Sequence, residues 1–172
     1  MRQPLLRPTD VAVALQLAIR PRDSYPELAK AVGISLGQAY NAVQRLRGAR
    51  LVVGEAREVV RPALLDFLIA GVPYAFPAQM GQTTRGVPTA HSAAPLAQEI
   101  RSNDVVVWPS GGGARRGSSL IPLYPGAPQL PSQNPRLYEL LTLVDALRIG
   151  RARERARAQQ LLRARLAVAK AS

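Results

Sequence analysis

The chain reads YPELAKAVGISLGQAYNAVQRLRGARLVV over residues 25–53, and this stretch decides the expected fold. Ser24 stands just before it and lies three residues from Glu27, which is the spacing of a capping box at a helix start. In that pattern each side chain accepts a hydrogen bond from the backbone N–H of the other residue. Gly33 can adopt the left-handed conformation that closes a helix. The sequence therefore predicts a short helix between Ser24 and Gly33.

A second helix is predicted directly after the glycine turn. Ser35 and Gln38 repeat the capping pattern, with glutamine in place of glutamate. The helix is expected to run to about Arg47. Apolar side chains recur at helical spacing and predict its buried stripe, which consists of Leu36, Ala39, Val43 and Leu46.

Two further elements flank these helices. A first helix is expected to start at a cap formed by Thr9 or Asp10, and its apolar side chains share one face at Val11, Ala14, Leu15, Ala18 and Ile19. On the C-terminal side, residues 50–53 and 57–60 are extended pieces that Gly54 joins as a short hairpin. Two capped helices around a glycine turn, followed by a hairpin, form the layout of a winged helix-turn-helix, which presents one helix to a DNA major groove.

The middle of the chain differs in composition. Pro62 is expected to start a helix over residues 63–70, and Gly71 is expected to stop it. Most of the fifteen prolines follow, so regular elements there should be short. Residues 105–108 and 119–124 predict two strands, which the glycine-rich segment between them joins as a long, flexible hairpin loop.

The C-terminal region is predicted to be helical. A helix starts at Pro135, is interrupted by Gly150, and has a core stripe at Leu137, Leu140, Leu141, Val144 and Leu147. Residues 151–171 continue as an Ala/Arg/Leu helix with Leu161, Leu162 and Leu166 on one side. Three roles stay open for this last helix: a solvated charged face, dimerisation through the leucines, or contact with phosphates.

These elements predict an α+β protein with an N-terminal winged helix-turn-helix, a proline-rich α+β extension and a C-terminal helical region. The expected domains are residues 1–62, 63–135 and 136–172. The charge distribution supports a packed middle, because residues 1–62 and 151–172 carry net charges of +5 and +6 whereas residues 63–150 carry +1.

The composition favours a polyanionic partner. The chain has a net charge of +12 and a pI of about 11.4, and its cationic residues other than Lys30 and Lys170 are arginines. Arginine binds phosphate and guanine edges with a planar, two-pronged fork. A GC-rich coding sequence is an equal explanation of the preference for arginine over lysine, but it does not explain the net charge.

The composition also excludes several kinds of site. The chain has no cysteine, so disulfides and thiolate metal sites are excluded. No apolar run approaches the roughly 18 residues that cross a bilayer, and the N-terminus has no apolar core of signal-peptide length. A cytoplasmic protein with no membrane contact is therefore expected. His91 is the sole histidine, so a metal site is not expected, and neither is a cofactor.

An enzyme is not expected either. Gly112 and Gly117 have the spacing of a phosphate-binding loop, but Ser118 occupies the position of the required lysine. The eleven carboxylates are scattered, and no acid, base and nucleophile can be grouped from the sequence. No catalytic residue is therefore assigned.

On the residues quoted above, the chain resembles bacterial winged-helix transcriptional regulators of the MarR and IclR types over residues 9–62. Residues 35–46 are similar to their recognition helix, and residues 50–54 are similar to the entry to their wing. The resemblance implies a sequence-specific double-stranded DNA-binding regulator, such as a repressor. It also implies a homodimer, because a two-fold protein binds a palindromic site.

The predicted DNA contacts lie on and around this helix. Outside the predicted apolar stripe, its outward residues are Gly37, Gln38, Tyr40, Asn41, Gln44 and Arg45. Glutamine and asparagine pair with an adenine edge and arginine pairs with guanine, so base contacts are expected chiefly from Gln38, Asn41 and Arg45. Ser35 and the helix N-terminus are expected to hold a phosphate, and Arg47, Arg50 and Arg57 are expected to contact the DNA backbone.

Two other functions stay open at this point. One is a DNA-binding antitoxin whose proline-rich middle docks a partner toxin, since that segment has weak periodicity. The other is a nucleic-acid-binding accessory protein without promoter specificity. A solvated polar face is the alternative explanation for each single candidate residue.

Overall fold

A computed structural model of the chain describes residues 5–167, and residues 1–4 and 168–172 lie outside the described part. The helices of two turns or more are α1 (Pro8–Ile19), α2 (Tyr25–Val32), α3 (Leu36–Gly48), α8 (Pro135–Ile149) and α9 (Ala152–Leu166), and the shorter ones are α4 (Arg61–Asp66), α5 (Val72–Ala75), α6 (Leu96–Glu99) and α7 (Leu130–Gln133). The strands are β1 (Val52–Val53), β2 (Glu58–Val59), β3 (Met80–Pro88), β4 (Val106–Pro109) and β5 (Arg115–Leu120). This mixture of helices and small sheets confirms the predicted α+β class.

The N-terminal helices begin and end largely as their sequence predicts. In α2 the Ser24 hydroxyl accepts the Glu27 N–H at 3.3 Å, and the Glu27 carboxylate accepts the Ser24 N–H at 2.7 Å. Gly33 closes the helix in the left-handed conformation, at φ 78°. The predicted cap of α1 is wrong, because the helix begins at Pro8 and the Asp10 carboxylate accepts the Arg7 N–H from inside the first turn, at 2.8 Å.

Helix α1 is the centre of the core rather than an amphipathic surface helix. Every residue from Asp10 to Ala18 is buried, where the sequence predicts one buried face. Helices α2, α3 and α8 and strand β2 all pack against it. Gln16 is the only polar residue between Val11 and Ile19, and a helix that is apolar all round is typical of a core position.

The three predicted domains share one hydrophobic core. A single cluster of buried side chains includes Leu15 from the first segment, Leu96 and Trp108 from the second, and Val144 and Leu162 from the third. The boundaries at residues 62 and 135 therefore separate stretches of sequence and do not separate cores.

The helix after the hairpin is longer than predicted. Gly71 does not stop it, because a π-helical turn at Phe67–Gly71 leads directly into α5. Leu64, Leu68 and Val72 are all fully buried at intervals of four residues. The burial of these side chains offsets the roughly 1 kcal/mol that a glycine costs inside a helix.

The middle of the chain forms a three-stranded closed sheet, which we call the β-ring (β3, β4 and β5). Strand β3 pairs antiparallel with both β4 and β5, and β4 pairs parallel with β5. The predicted hairpin is wrong: β4 and β5 run parallel, β5 starts before the predicted strand, and β3 was not predicted. A side chain at Gly86 would meet the Trp108 carbonyl, and one at Gly117 would meet the Val105 carbonyl, so the closure of this ring requires glycine at both positions.

One buried carboxylate attaches the β-ring to α8. The Asp145 Oδ2 atom accepts hydrogen bonds from the Thr89 hydroxyl at 2.6 Å and from the Trp108 indole N–H at 2.7 Å. Its Oδ1 atom accepts from the Arg148 guanidinium at 2.8 Å. Burial raises the pKa of Asp145, whereas Arg148 and the hydrogen bonds oppose that rise. Trp108 is fully buried, as its position in an apolar strand predicts.

The C-terminal helices close over the core. The five predicted stripe residues of α8 are all buried, and the helix ends at Gly150 as predicted. Leu162 and Leu166 of α9 are fully buried in the same chain, and Leu161 is half-buried, so these leucines do not form a free dimerisation surface. Residues 168–171 of the predicted helix lie outside the described part. Among residues 5–167, no helix is long and apolar enough to span a bilayer.

Candidate nucleic-acid interface

The orientation of α3 decides which of its side chains reach solvent. Ala39, Ala42, Val43 and Leu46 are fully buried against the rest of the core. The predicted stripe is wrong at Leu36, which is 55% exposed, and Ala42 takes a place in the buried arc instead. The reason is geometric: successive residues turn by about 100°, which puts Leu36 at the rim of an arc centred between Ala39 and Leu46.

The centre of the outward face is a stripe of small and amide residues. Gly37, Asn41, Gln44 and Gly48 follow one another at intervals of four, three and four residues, so they lie in one row along the helix. Gln44 is half-buried and the other three are exposed. Glycine at both ends of the row leaves room for close approach, and the two amides between them can each donate and accept hydrogen bonds.

Gln38 is committed to the start of α3. The Ser35 hydroxyl accepts the Gln38 N–H at 3.1 Å, and the Gln38 side-chain oxygen accepts the Ser35 N–H at 2.9 Å. The predicted capping box is therefore present. A two-bond contact with adenine needs both the oxygen and the nitrogen of the amide, so a full contact from Gln38 would break the cap.

Arg45 is engaged inside the molecule. Its Nε and Nη2 atoms donate to the two carboxylate oxygens of Asp10, each at 2.8 Å, and the Asp10 side chain is 2% exposed. The hydrogen bond with Asp10 raises the pKa of Arg45. This two-pronged pair joins α3 to α1, so the fork that would pair with guanine is already occupied. Arg45 therefore lies beside the predicted DNA-binding face, but its guanidinium is bonded to Asp10 of α1 rather than free to contact a base.

The three arginines that were predicted to contact the DNA backbone differ in their surroundings. Arg47 donates to the Gly54 carbonyl at 3.0 Å and so links α3 to the β1–β2 hairpin. Arg57 donates to the Asp23 carbonyl at 2.6 Å, and its guanidinium lies 4.7 Å from the centre of the Tyr25 ring. Arg50 is exposed and adopts a left-handed conformation at φ 60°.

An apolar rim borders the amide stripe. Tyr40 is 51% exposed and its ring lies 5.4 Å from the Tyr25 ring, measured between centres. Leu36 and Val53 of the hairpin are also exposed. The sequence predicts Leu36 in the core and Val53 in a strand at the entry to the wing, so it does not predict an apolar rim on this face.

The other candidate sites give no binding constellation. The segment from Gly112 to Gly117 leads into strand β5, whereas a phosphate-binding loop opens a helix. The His91 ring Nε2 atom lies 2.7 Å from the Asp104 carbonyl oxygen, so the ring has a backbone partner. Within residues 5–167, no group of three His, Asp or Glu side chains is arranged to hold a metal ion.

Comparison of the chain with protein-family models, with curated proteins and with solved structures finds no match. The two properties of the molecule that bear on its function are therefore the geometry of α3 with its surroundings and the distribution of charge. Those two properties agree in one respect: the exposed amide stripe belongs to the N-terminal segment, residues 1–62, which has a net charge of +5.

Proposed function

We propose that the protein is a sequence-specific double-stranded DNA-binding transcriptional regulator that acts as a homodimer. In this proposal residues 9–62 form a winged helix-turn-helix in which α3 enters the major groove and the β1–β2 hairpin is the wing. The observation that carries the proposal is the row of Gly37, Asn41, Gln44 and Gly48 along the outward face of α3.

The amide pair in this row has the chemistry of a base-reading surface. Asparagine and glutamine each present a donor and an acceptor side by side, which matches the N6 and N7 atoms of adenine. Because Arg45 is bound to Asp10 and Gln38 caps the helix, the proposal assigns base contacts to Asn41 and Gln44. Tyr40 and Arg50, which flank the row and are exposed, are assigned to the sugar-phosphate backbone.

The net charge supports binding of a polyanion. A charge of +12 attracts DNA at long range and predicts strong dependence of affinity on salt. Homodimerisation would supply the second recognition helix for a palindromic site. Since Leu162 and Leu166 are used in the core, the dimer contact in this proposal is made by other residues.

The test is selection of duplexes from a random-sequence library, followed by affinity measurements on the selected and a scrambled duplex. The wild-type protein should prefer the selected duplex. Replacing both amides, Asn41→Ala with Gln44→Ala, should reduce that preference by at least roughly 30-fold, because each of the two lost base contacts contributes about 1–3 kcal/mol of discrimination.

A matched control removes the same two functional groups elsewhere. Gln98→Ala with Asn103→Ala deletes one glutamine amide and one asparagine amide from exposed positions outside α3, and should leave the preference unchanged. If the Asn41 and Gln44 variant keeps the full preference, α3 is not the base-reading element. If no duplex is enriched at all, the protein is not a sequence-specific regulator.

The exposed apolar rim favours a second candidate, namely a protein partner docked on the same face. Leu36, Tyr40 and Val53 are exposed there, and aromatic and aliphatic anchors are typical of protein interfaces. The antitoxin alternative instead places the docking surface on the proline-rich middle of the chain, whose Leu96 and Trp108 pack in the core. Under this candidate, Leu36→Ser with Tyr40→Ser should abolish binding of the protein partner and leave the preference among duplexes intact.

A further inference from the structure

Two arginines face each other across the β-ring. Arg85 of β3 and Arg116 of β5 are direct cross-strand partners, and the next pair on the same face consists of Thr83 and Ser118. Arg85, Arg116, Thr83 and Ser118 are all exposed. Directly opposed residues of an antiparallel pair have Cβ atoms about 5 Å apart, so the two guanidinium groups are rooted side by side on one outer face.

The segments that form the β-ring are poor in acidic residues. The sequence has no aspartate or glutamate in residues 67–98, which contain β3, or in residues 105–138, which contain β4 and β5. Among the residues that the structure describes, neither Arg85 nor Arg116 forms a salt bridge, whereas Arg148, Arg157 and Arg165 do. The outer face of the β3–β5 pair is therefore a compact cationic patch.

This arrangement costs stability in the isolated protein. Like charges directly opposite each other on a sheet are destabilising. A bound anion would reverse the sign of that interaction, because each guanidinium can donate two hydrogen bonds to a phosphate. The hydroxyl groups of Thr83 and Ser118 beside the pair can donate to further phosphate oxygens.

We propose that this face of the β-ring binds the phosphate backbone of DNA as a second contact surface, separate from α3. The inference rests on the proposed function, because it takes duplex DNA as the partner. A DNA strand carries one negative charge per roughly 3.4 Å of helix rise, so two arginines rooted about 5 Å apart can each reach a phosphate. Contacts to phosphates carry no sequence information, so this surface should contribute equally to the binding of all duplexes.

The experiment measures the affinity for a labelled 30-base-pair duplex of random sequence by fluorescence anisotropy between 50 and 200 mM KCl. Each phosphate contact contributes about 0.9 to the slope of log affinity against log salt. Replacing both arginines, Arg85→Gln with Arg116→Gln, should therefore lower the slope by about two and weaken binding to all duplexes alike.

A single charge reversal separates binding from folding. Arg116→Glu places a carboxylate opposite Arg85, which should raise the melting temperature by roughly 1–3 °C while DNA affinity falls. Arg153→Glu is the matched control: it makes the same change of charge at an exposed position in the first turn of α9, where the helix dipole favours a glutamate. Arg153→Glu should lower the salt slope by less than half of the change that Arg116→Glu causes.

Each outcome decides between the two proposals. If wild-type protein binds DNA and the Arg85 and Arg116 variants behave like wild type, or like the Arg153 control, the second surface is overturned and α3 is unaffected. If the Asn41 and Gln44 variant keeps its sequence preference while the arginine variants show the expected decrease in the salt slope, the α3 assignment fails and the second surface stands. If wild-type protein binds no duplex, both proposals fail.

Discussion

Each of the two candidate surfaces is linked to a buried aspartate of the core, but the two links differ in kind. Asp10 of the central helix α1 binds Arg45 of α3 through a single two-pronged ion pair. Asp145 of α8 accepts hydrogen bonds from Thr89, Trp108 and Arg148, so one carboxylate joins three separate donors.

The difference shows how each surface is specified. Helix α3 forms from its own capping box and apolar stripe, and the Asp10 pair only fixes its orientation on α1. The β-ring has no comparable local stabilisation, because the pairing of its strands is long-range. It docks on α8 through the Asp145 cluster and through the Tyr138 hydroxyl, which donates to the Pro88 carbonyl at 2.5 Å. Since the cluster includes a buried charge, loss of the Asp145 carboxylate should affect the β-ring more than α3.

The substitution of Asp145 is expected to have the largest effect on stability. Asp145→Ala leaves the Arg148 guanidinium buried without its carboxylate and leaves the Trp108 and Thr89 donors without an acceptor. Breaking a buried pair in this way costs about 3–5 kcal/mol of unfolding free energy. Urea unfolding followed by the fluorescence of Trp108, the only tryptophan and a residue of β4, should show this loss of unfolding free energy. Unfolding followed by far-ultraviolet circular dichroism, which reports mainly on the helices, should show a smaller loss.

A surface ion pair supplies the control for that measurement. Glu139 and Arg165 join α8 to α9, and both side chains are about one-third exposed. Glu139→Ala should change the unfolding free energy by less than about 1 kcal/mol. A loss of similar size in the Asp145 and Glu139 variants would show that the cluster does not anchor the β-ring.

Arg45 should have a smaller effect, confined to stability. Arg45→Ala removes both charge-assisted hydrogen bonds from Asp10, which should cost about 2–3 kcal/mol because hydrogen bonds to charged groups are stronger than neutral ones. Arg45→Lys should recover only part of that loss, since an ammonium group does not match the carboxylate with two parallel bonds. Chemical denaturation of the wild-type protein and both variants measures the difference.

The Arg45→Ala variant also tests which residues of α3 contact bases. If Arg45 is an orienting residue, the preference among duplexes at a temperature where the variant is fully folded should equal that of the wild-type protein. A changed preference at a single G·C position of the selected duplex would return Arg45 to the base-reading set and would show that its pair with Asp10 opens on binding.

The contrast between the two surfaces also explains what sequence can predict. Caps at Ser24 and Ser35 and the glycine at the end of α2 depend on residues three or four apart, so they follow from the sequence directly. The β-ring depends on pairs such as Gly86 with Pro109 and with Arg115, which are more than twenty residues apart. The one hint in the sequence is the occurrence of glycines inside segments that otherwise favour strands.

The candidate site shows the same limit. Sequence periodicity correctly places Ala39, Val43 and Leu46 inside, but it cannot show that Arg45 meets an aspartate 35 residues earlier in the chain. It also cannot show that Arg85 and Arg116 are cross-strand partners. Charge and helix periodicity identify the class of partner that these surfaces suit, whereas the choice of contact residues requires long-range geometry.

The smallest expected effect tests how local the specification of α3 is. Ser35→Ala removes the hydroxyl that accepts the Gln38 N–H, and loss of such a cap costs about 1 kcal/mol. The Gln38 side-chain oxygen still accepts the backbone N–H of residue 35 in this variant, so Gln38 stays committed to the helix start. Hydrogen exchange should show faster opening of the first turn of α3 with no change in β3 or β5.

Ser24→Ala is the matched control, because it removes the same hydroxyl from the cap of α2 at a similar cost. Faster exchange in the β-ring of the Ser35 variant would mean that the two surfaces are energetically coupled. In that case α3 would not be stabilised independently of the long-range contacts that hold the β-ring.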